Sequence, residues 1–193
     1  MENLAYIDPP RTERIEGETY RMIPPPRIKN VLVAGNIYIA FERHLTGTSY
    51  KAISSKSLVY LDDDNIYDPD AMICERSKIH RDGIYGAPDL VVEVLSPSTR
   101  KHDRGAKMRH YAAAGVREYW IVDPLAESVE VYKNHGGIFE LDEIYEDYNA
   151  EDRAQMTEKE LADIHTDIPV ALQEGEEGFT VRLQEIFEDT TFE

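Results

Sequence analysis

Hydrophobic residues change their spacing several times along this 193-residue chain, and each change marks an element. In TERIEGETYRM two short strand-like pieces flank Glu16-Gly17, the pattern of a hairpin. Pro24-Pro25-Pro26 then stops that unit. From Arg27 to about Leu45 apolar residues return every three or four positions, at Ile28, Val31, Leu32, Gly35, Tyr38, Ile39 and Phe41. That spacing predicts a helix, and its richness in apolar residues predicts one that is largely buried. Strand-like runs follow over 49–53, 58–61 and 70–75, separated by the turn-rich DDDN and DP segments. RSKIHRDGIYGA reads as a loop. Asp89 to Leu95 is continuous, β-branched and apolar around one acid, as a central strand covered on both faces would be.

After Ser96-Pro97-Ser98 a second helix is expected from near Thr99 to Ala114, with Gly115 as its stop. Residues 118–122 and 128–132 read as strands joined through Asp123-Pro124. An acidic excursion covers about 142–163, helical or irregular over 147–163, and FTVRLQEIFE closes as a short strand and a helical turn. This order predicts one α/β domain over 1–193: a mixed β-sheet flanked by helices, with an added N-terminal hairpin and C-terminal strands.

Composition changes the picture in a few places. At 41% hydrophobic and 31% charged the chain is of ordinary globular make-up. No apolar run approaches the roughly 18 residues of a membrane span, and the start lacks the basic and apolar regions of a secretory signal. The expectation is a cytoplasmic protein with no membrane partner. The single cysteine, Cys74, excludes an internal disulfide and a cysteine-based zinc site. The net charge of −17 is uneven: residues 1–122 carry 17 basic and 17 acidic residues, and 123–193 carry 4 and 21. The acidic part is either a solubilising surface or one that turns polyanions away and takes a basic partner.

Candidate chemistry lies between Asp70 and Tyr111. Strand alternation puts Asp89, Val91, Glu93 and Leu95 on one face. An ionised Glu93 amid apolar residues is costly unless an arginine or a metal ion neutralises it. Asp89 and Glu93 stand about 13 Å apart by strand rise, too far for one cation. If 70–75 pairs antiparallel with 88–95 so that Glu75 meets Pro88, Asp70 falls opposite Glu93. Their Cβ atoms are then roughly 5 Å apart, and an oxygen-seeking ion such as Mg²⁺ could bridge the two carboxylates. Residues 99–110 hold five basic residues against one acid, and Asp103, Lys107 and Tyr111 line one helix face. One reading is an exposed salt bridge with Tyr111 in the core. The other is a lysine facing the sheet that stabilises an anion, with Arg100, Lys101, Arg104 and Arg109 as a phosphate-contacting fringe.

PDLVVEVLSPSTRKHDRGAKMRHYAAAGVREYWIVDP, residues 88–124, resembles the signature of the Uma-two type restriction endonucleases, within the PD-(D/E)XK nuclease superfamily. The likeness extends to EGETYRMIPPP, the first helix, NIYDPDAMIC and LQEIF. It implies a restriction-endonuclease-like core and hydrolysis of DNA phosphodiesters with Mg²⁺, or Mn²⁺ in its place. By position, Asp70 is the first acid of the motif and Glu93 the second. The lysine expected two residues later is Leu95, and the resemblance assigns its place to Lys107 on the following helix. The implied metal ligands are Asp70, Glu93 and the carbonyl of Val94. Asp89, Asp103 and Tyr111 become supporting or structural residues, and Glu42 an additional acid or a structural one. Cutting both strands of a duplex makes a homodimer the economical assembly. The alternative is a non-cleaving interaction or regulatory protein on the same core, in keeping with the −17 charge.

Overall fold

The computed structural model describes residues 12–21, 27–172 and 177–191. Its first half runs β1 (Thr12–Ile15), β2 (Glu18–Arg21), α1 (Ile28–Leu45), β3 (Tyr50–Ser54), β4 (Val59–Tyr60), β5 (Ile66–Tyr67), β6 (Ala71–Glu75), β7 (Ile84–Tyr85) and β8 (Leu90–Val94). The second half runs α2 (Arg100–Asp103), α3 (Ala106–Ala114), β9 (Glu118–Asp123), β10 (Ser128–Asn134), β11 (Phe139–Tyr145), α4 (Ala150–Arg153), α5 (Glu158–Ala162), β12 (Asp167–Val170), β13 (Phe179–Arg182) and α6 (Leu183–Phe187). The expected stop at Pro24-Pro25-Pro26 lies outside the described residues.

Six strands form the main sheet in the order β11-β10-β9-β8-β6-β3. Only β8 and β9 are parallel within it, because the helical crossover between them returns the chain in the same direction. Alternation along β8 then divides the core. Val92 and Val94 face α1, where Val33, Ile37 and Phe41 pack with Trp120 and Val122. Val91 and Leu95 face the other way, with Tyr111, Tyr119 and Ile121. A smaller sheet, β2-β1-β5-β4-β7, lies on the N-terminal side of the topology, and β12 pairs with β13.

Three expectations need correction. α1 is not largely buried: Ile28, Val31 and Ile39 are exposed, and Val33, Ala34, Ile37, Phe41 and Leu45 form the sunken face. A single helix side meets the sheet, so an excess of apolar residues leaves some in solvent. The expected Thr99–Ala114 helix is broken into α2 and α3 at Gly105, where a Cβ would stand 2.6 Å from the Lys101 carbonyl oxygen. The 76–87 segment is also more than loop. It holds a short 3₁₀ turn at Arg76–Lys78 and then β7, which joins β4 in parallel.

The hairpin forms as expected because Glu16 and Gly17 both take positive φ (53° and 80°), the backbone of a tight turn between twisted strands. Gly115, at φ 97°, stops α3. The acidic excursion contains α4 and α5, the latter started by a capping box between Thr157 and Glu160. Among the described residues no helix is long and apolar enough to cross a membrane.

Candidate active site

β6 meets β8 in the register Ala71↔Val92, Met72↔Val91 and Ile73↔Leu90. The ladder ends at Ala71; continued by one step, it would set Asp70 opposite Glu93. The ladder opens here. The Asp70 N–H still donates to the Val92 carbonyl at 3.1 Å, but the Val94 N–H donates to Asp70 Oδ2 at 2.8 Å. The neighbouring residue Leu95 turns its N–H to the Val122 carbonyl of β9. Backbone direction alternates along a strand, so the Val94 carbonyl shares the side of its N–H, toward Asp70.

Glu93 points to the α3 face, into a buried ionic cluster. Lys107 Nζ stands 2.7 Å from Glu93 Oε1, 2.9 Å from Glu13 Oε1 and 3.3 Å from Asp103 Oδ1. It also lies 5.7 Å from the centre of the Tyr67 ring. Tyr111 Oη donates to Glu93 Oε1 over a long 3.5 Å. Lys107 is only 1% exposed, so the Asp103–Lys107 pair is not the solvated surface bridge that one reading of the helix allowed. The break at Gly105 leaves Asp103, Lys107 and Tyr111 on the same side, facing Glu93.

Glu13 is the member that sequence reasoning missed. Its signal was present in β1, where Glu13 alternates with Ile15 and both are buried. The same Oε1 that meets Lys107 accepts the Asp68 N–H at 3.0 Å.

Three carboxylates surround one ammonium. Burial pushes the Glu93 carboxyl well above its usual range and Asp103 upward as well, against the opposing pull of Lys107. Burial works against charge on Lys107, but Glu13, Glu93 and Asp103 outweigh it and hold its pKa well above that of an ordinary lysine. Burial likewise holds the Tyr111 phenol protonated, as a donor. With every acid ionised the cluster carries two surplus negative charges, and Asp103 Oδ1 has no hydrogen-bond partner. Such a site accommodates its surplus with a proton or with a cation.

The other expected residues lie apart from this cluster. Asp89 accepts the Glu75 N–H at 3.0 Å and pairs with Arg117 at 3.2 Å and Lys78 at 3.5 Å, tying three segments together. Glu42, on α1, pairs with Lys51 on β3. Arg104 grips Glu130 through two hydrogen bonds, of 2.7 and 2.6 Å, and Arg109 stands 3.7 Å from Glu16. Arg100 and Lys101 are exposed. A cleft of about 250 Å³ opens beside Asp70, walled by Asn30, Val31, Ala34, Tyr38 and Ser54. Asp70 lines it; Glu93 and Lys107 do not.

Among the described residues no three His, Cys, Asp or Glu side chains are grouped so as to hold a metal ion. The oxygen donors at the end of the β6–β8 ladder are the Asp70 carboxylate, which lines the cleft, the Glu93 carboxylate, which turns to Lys107, and the Val94 carbonyl. These are hard oxygen ligands of the kind Mg²⁺ and Mn²⁺ accept while keeping waters, so their chemistry fits such an ion.

A mixed sheet flanked by helices, with acids on adjacent central strands, is the restriction-endonuclease-like architecture. The fold matches a crystal structure from Anabaena variabilis described as "a putative nuclease belonging to DUF820", with TM-score 0.67 at 18% identity, covering 94% of this chain and 92% of that one. The chain belongs to the Uma2 family, described as "Putative restriction endonuclease", whose model matches residues 2–168. A curated relative, "Uncharacterized protein slr1290" of Synechocystis sp., is 41% identical over 71 residues, covering 36% of this chain and 35% of that protein.

Proposed function

We propose that this protein is a Mg²⁺-dependent DNA endonuclease whose lysine comes from the crossover helix rather than from the strand. The observation that carries the reading is the approach of Lys107 to Glu93 at 2.7 Å, with Asp70 one residue beyond the ladder that joins the two strands. Asp70, Glu93 and the Val94 carbonyl would hold the ion. When bound there, Mg²⁺ supplies Lewis-acid activation of water and charge neutralisation at the phosphate. Lys107 carries a fixed positive charge beside that position and offsets the charge that develops on the phosphoryl oxygens. Tyr111 and Asp103 keep Glu93 and Lys107 in place. Arg100 and Lys101, exposed at the head of the crossover, are the DNA-contacting candidates, and a homodimer would supply the second cut of a duplex.

The burial of Lys107 and Glu93 favours a second reading, a non-cleaving binding protein on a nuclease core, in which the ionic cluster serves stability alone. Supercoiled plasmid incubated with the protein and Mg²⁺ separates the two. Nicking that EDTA abolishes and that Glu93→Gln removes supports the nuclease. Intact plasmid over a range of Mg²⁺ and Mn²⁺ concentrations leaves the second reading.

A further inference from the structure

We propose that Glu13 is a positioning residue for Lys107: the N-terminal hairpin supplies the carboxylate that fixes the direction of its ammonium. The inference deepens the nuclease reading and takes its catalytic meaning from it. A lysine ammonium has three donors on a flexible four-carbon stem, so approach alone does not orient it. The contact with Glu13 is a hydrogen bond of 2.9 Å, whereas Asp103 Oδ1, at 3.3 Å, accepts none.

Glu13 is itself held. Its Oε1 accepts the Asp68 N–H at 3.0 Å, and Asp68 in turn accepts the N–H groups of Lys56 and Ser57 at 2.7 and 3.2 Å. One carboxylate oxygen therefore ties Lys107 to the backbone two residues before Asp70. The hairpin is anchored over it by the pairing of Arg14 with Ile66, by Gly17 N–H to the Asp64 carbonyl at 3.0 Å, and by buried Ile15. A carboxylate whose purpose was only to fasten the hairpin would need the Asp68 N–H and not Lys107.

Glu13→Gln separates the two purposes, because its amide oxygen can still accept the Asp68 N–H while the charge that orients Lys107 is gone. The full chain is labelled with ¹⁵N-lysine, and the Nζ–H resonance of Lys107, buried and slow to exchange, is identified by its loss in Lys107→Met. In Glu13→Gln its hydrogen exchange is expected to accelerate about tenfold, because the retained amide oxygen accepts without a charge and a charge-assisted hydrogen bond is about twice as strong as a neutral one. Arg14→Ala removes only the exposed contact with the Asp63 carbonyl and leaves the resonance as in the parent. Single-turnover cleavage should fall at least about tenfold in Glu13→Gln, with the Mg²⁺ concentration for half-maximal rate unchanged. Parental exchange in Glu13→Gln, or no protected lysine ammonium in the parent, overturns the proposal. Should Glu13→Gln fail to fold, Glu13→Asp, one methylene shorter, takes its place in the exchange measurement: faster exchange supports the proposal and parental exchange overturns it. If the parent cleaves nothing while the resonance responds as expected, the nuclease reading falls and the positioning role stands.

Discussion

Lys107 Nζ and Glu93 Oε1 stand 2.7 Å apart, the one from the crossover helix and the other from the central strand, and both are almost wholly out of solvent. Neither charge is tolerable there alone. Together with Glu13 and Asp103 they form a unit in which removal of the one ammonium leaves three carboxylates without a cation in the core.

Lys107→Met keeps the length of the side chain and removes the cation. Three buried carboxylates then lack their cation, and the expected loss is about 3–5 kcal/mol at neutral pH. The sign with pH follows from Glu93 and Asp103, whose folded-state pKa values are raised. Stability tied to their protonated forms is full below the ordinary carboxyl range and is lost as pH rises through the raised values. Thermal unfolding should therefore show the variant closest to the parent near pH 5 and furthest from it near pH 8. An equal deficit at both ends would mean that the cluster is not the cause.

Metal binding, if the proposed site holds Mg²⁺, should depend on Asp70 and Glu93 and not on Asp89. Isothermal titration is expected to show affinity reduced at least about tenfold in Asp70→Asn and Glu93→Gln, but preserved in Asp89→Asn wherever that variant remains folded. Because burial raises the Glu93 pKa, ion binding should also release protons, read as a heat that depends on the buffer. Parental affinity in both Asp70→Asn and Glu93→Gln would remove this pair from the site.

Gly105→Ala should cost about 1–3 kcal/mol, well beyond an ordinary surface substitution. Its Cβ would meet the Lys101 carbonyl oxygen at 2.6 Å, and backbone cannot step aside as a flexible side chain can. The break also sets the direction of α3 two residues before Lys107. Denaturant unfolding checks the cost, and a variant as stable as the parent would show that α2 and α3 can join into one helix.

Glu118 gives a separate test of pH dependence. Its buried carboxyl is pushed up to about 7, chiefly by burial, and Trp120 donates to it at 2.6 Å. The folded-state value exceeds the unfolded one, so this stability is present below about pH 4.5 and lost as pH rises through about 7. Glu118→Gln should remove that slope and gain a few kcal/mol relative to the parent near pH 8. Stability curves for the two proteins that stay parallel from pH 5 to 8 would refute it.

Much of the fold was legible in local patterns. Alternation in PDLVVEV identified β8 and the face that carries Glu93, and the turn chemistry of Glu16-Gly17 identified the hairpin. The register between β6 and β8 could only be assumed from the sequence, since both strands are buried on both faces and a slip by one residue would leave apolar side chains on either face. The full extent of the strands was harder. β5 and β7 have two residues each, too few for any period, and they form only because neighbouring strands offer partners.

Sequence by itself determined which residues could be charged, which faces of the strands and helices they share, and that one helix face aligns Asp103, Lys107 and Tyr111. Tertiary structure alone decided what those charges meet. Whether Lys107 is a surface bridge or a buried cation depends on the packing of α3 against the sheet. Whether Glu13 takes part depends on a hairpin that arrives from far along the chain. Local periodicity records which side of an element turns inward. The compensation of a buried charge is settled by distances of about 3 Å between groups on different elements, Glu13 standing 94 residues from Lys107 along the chain.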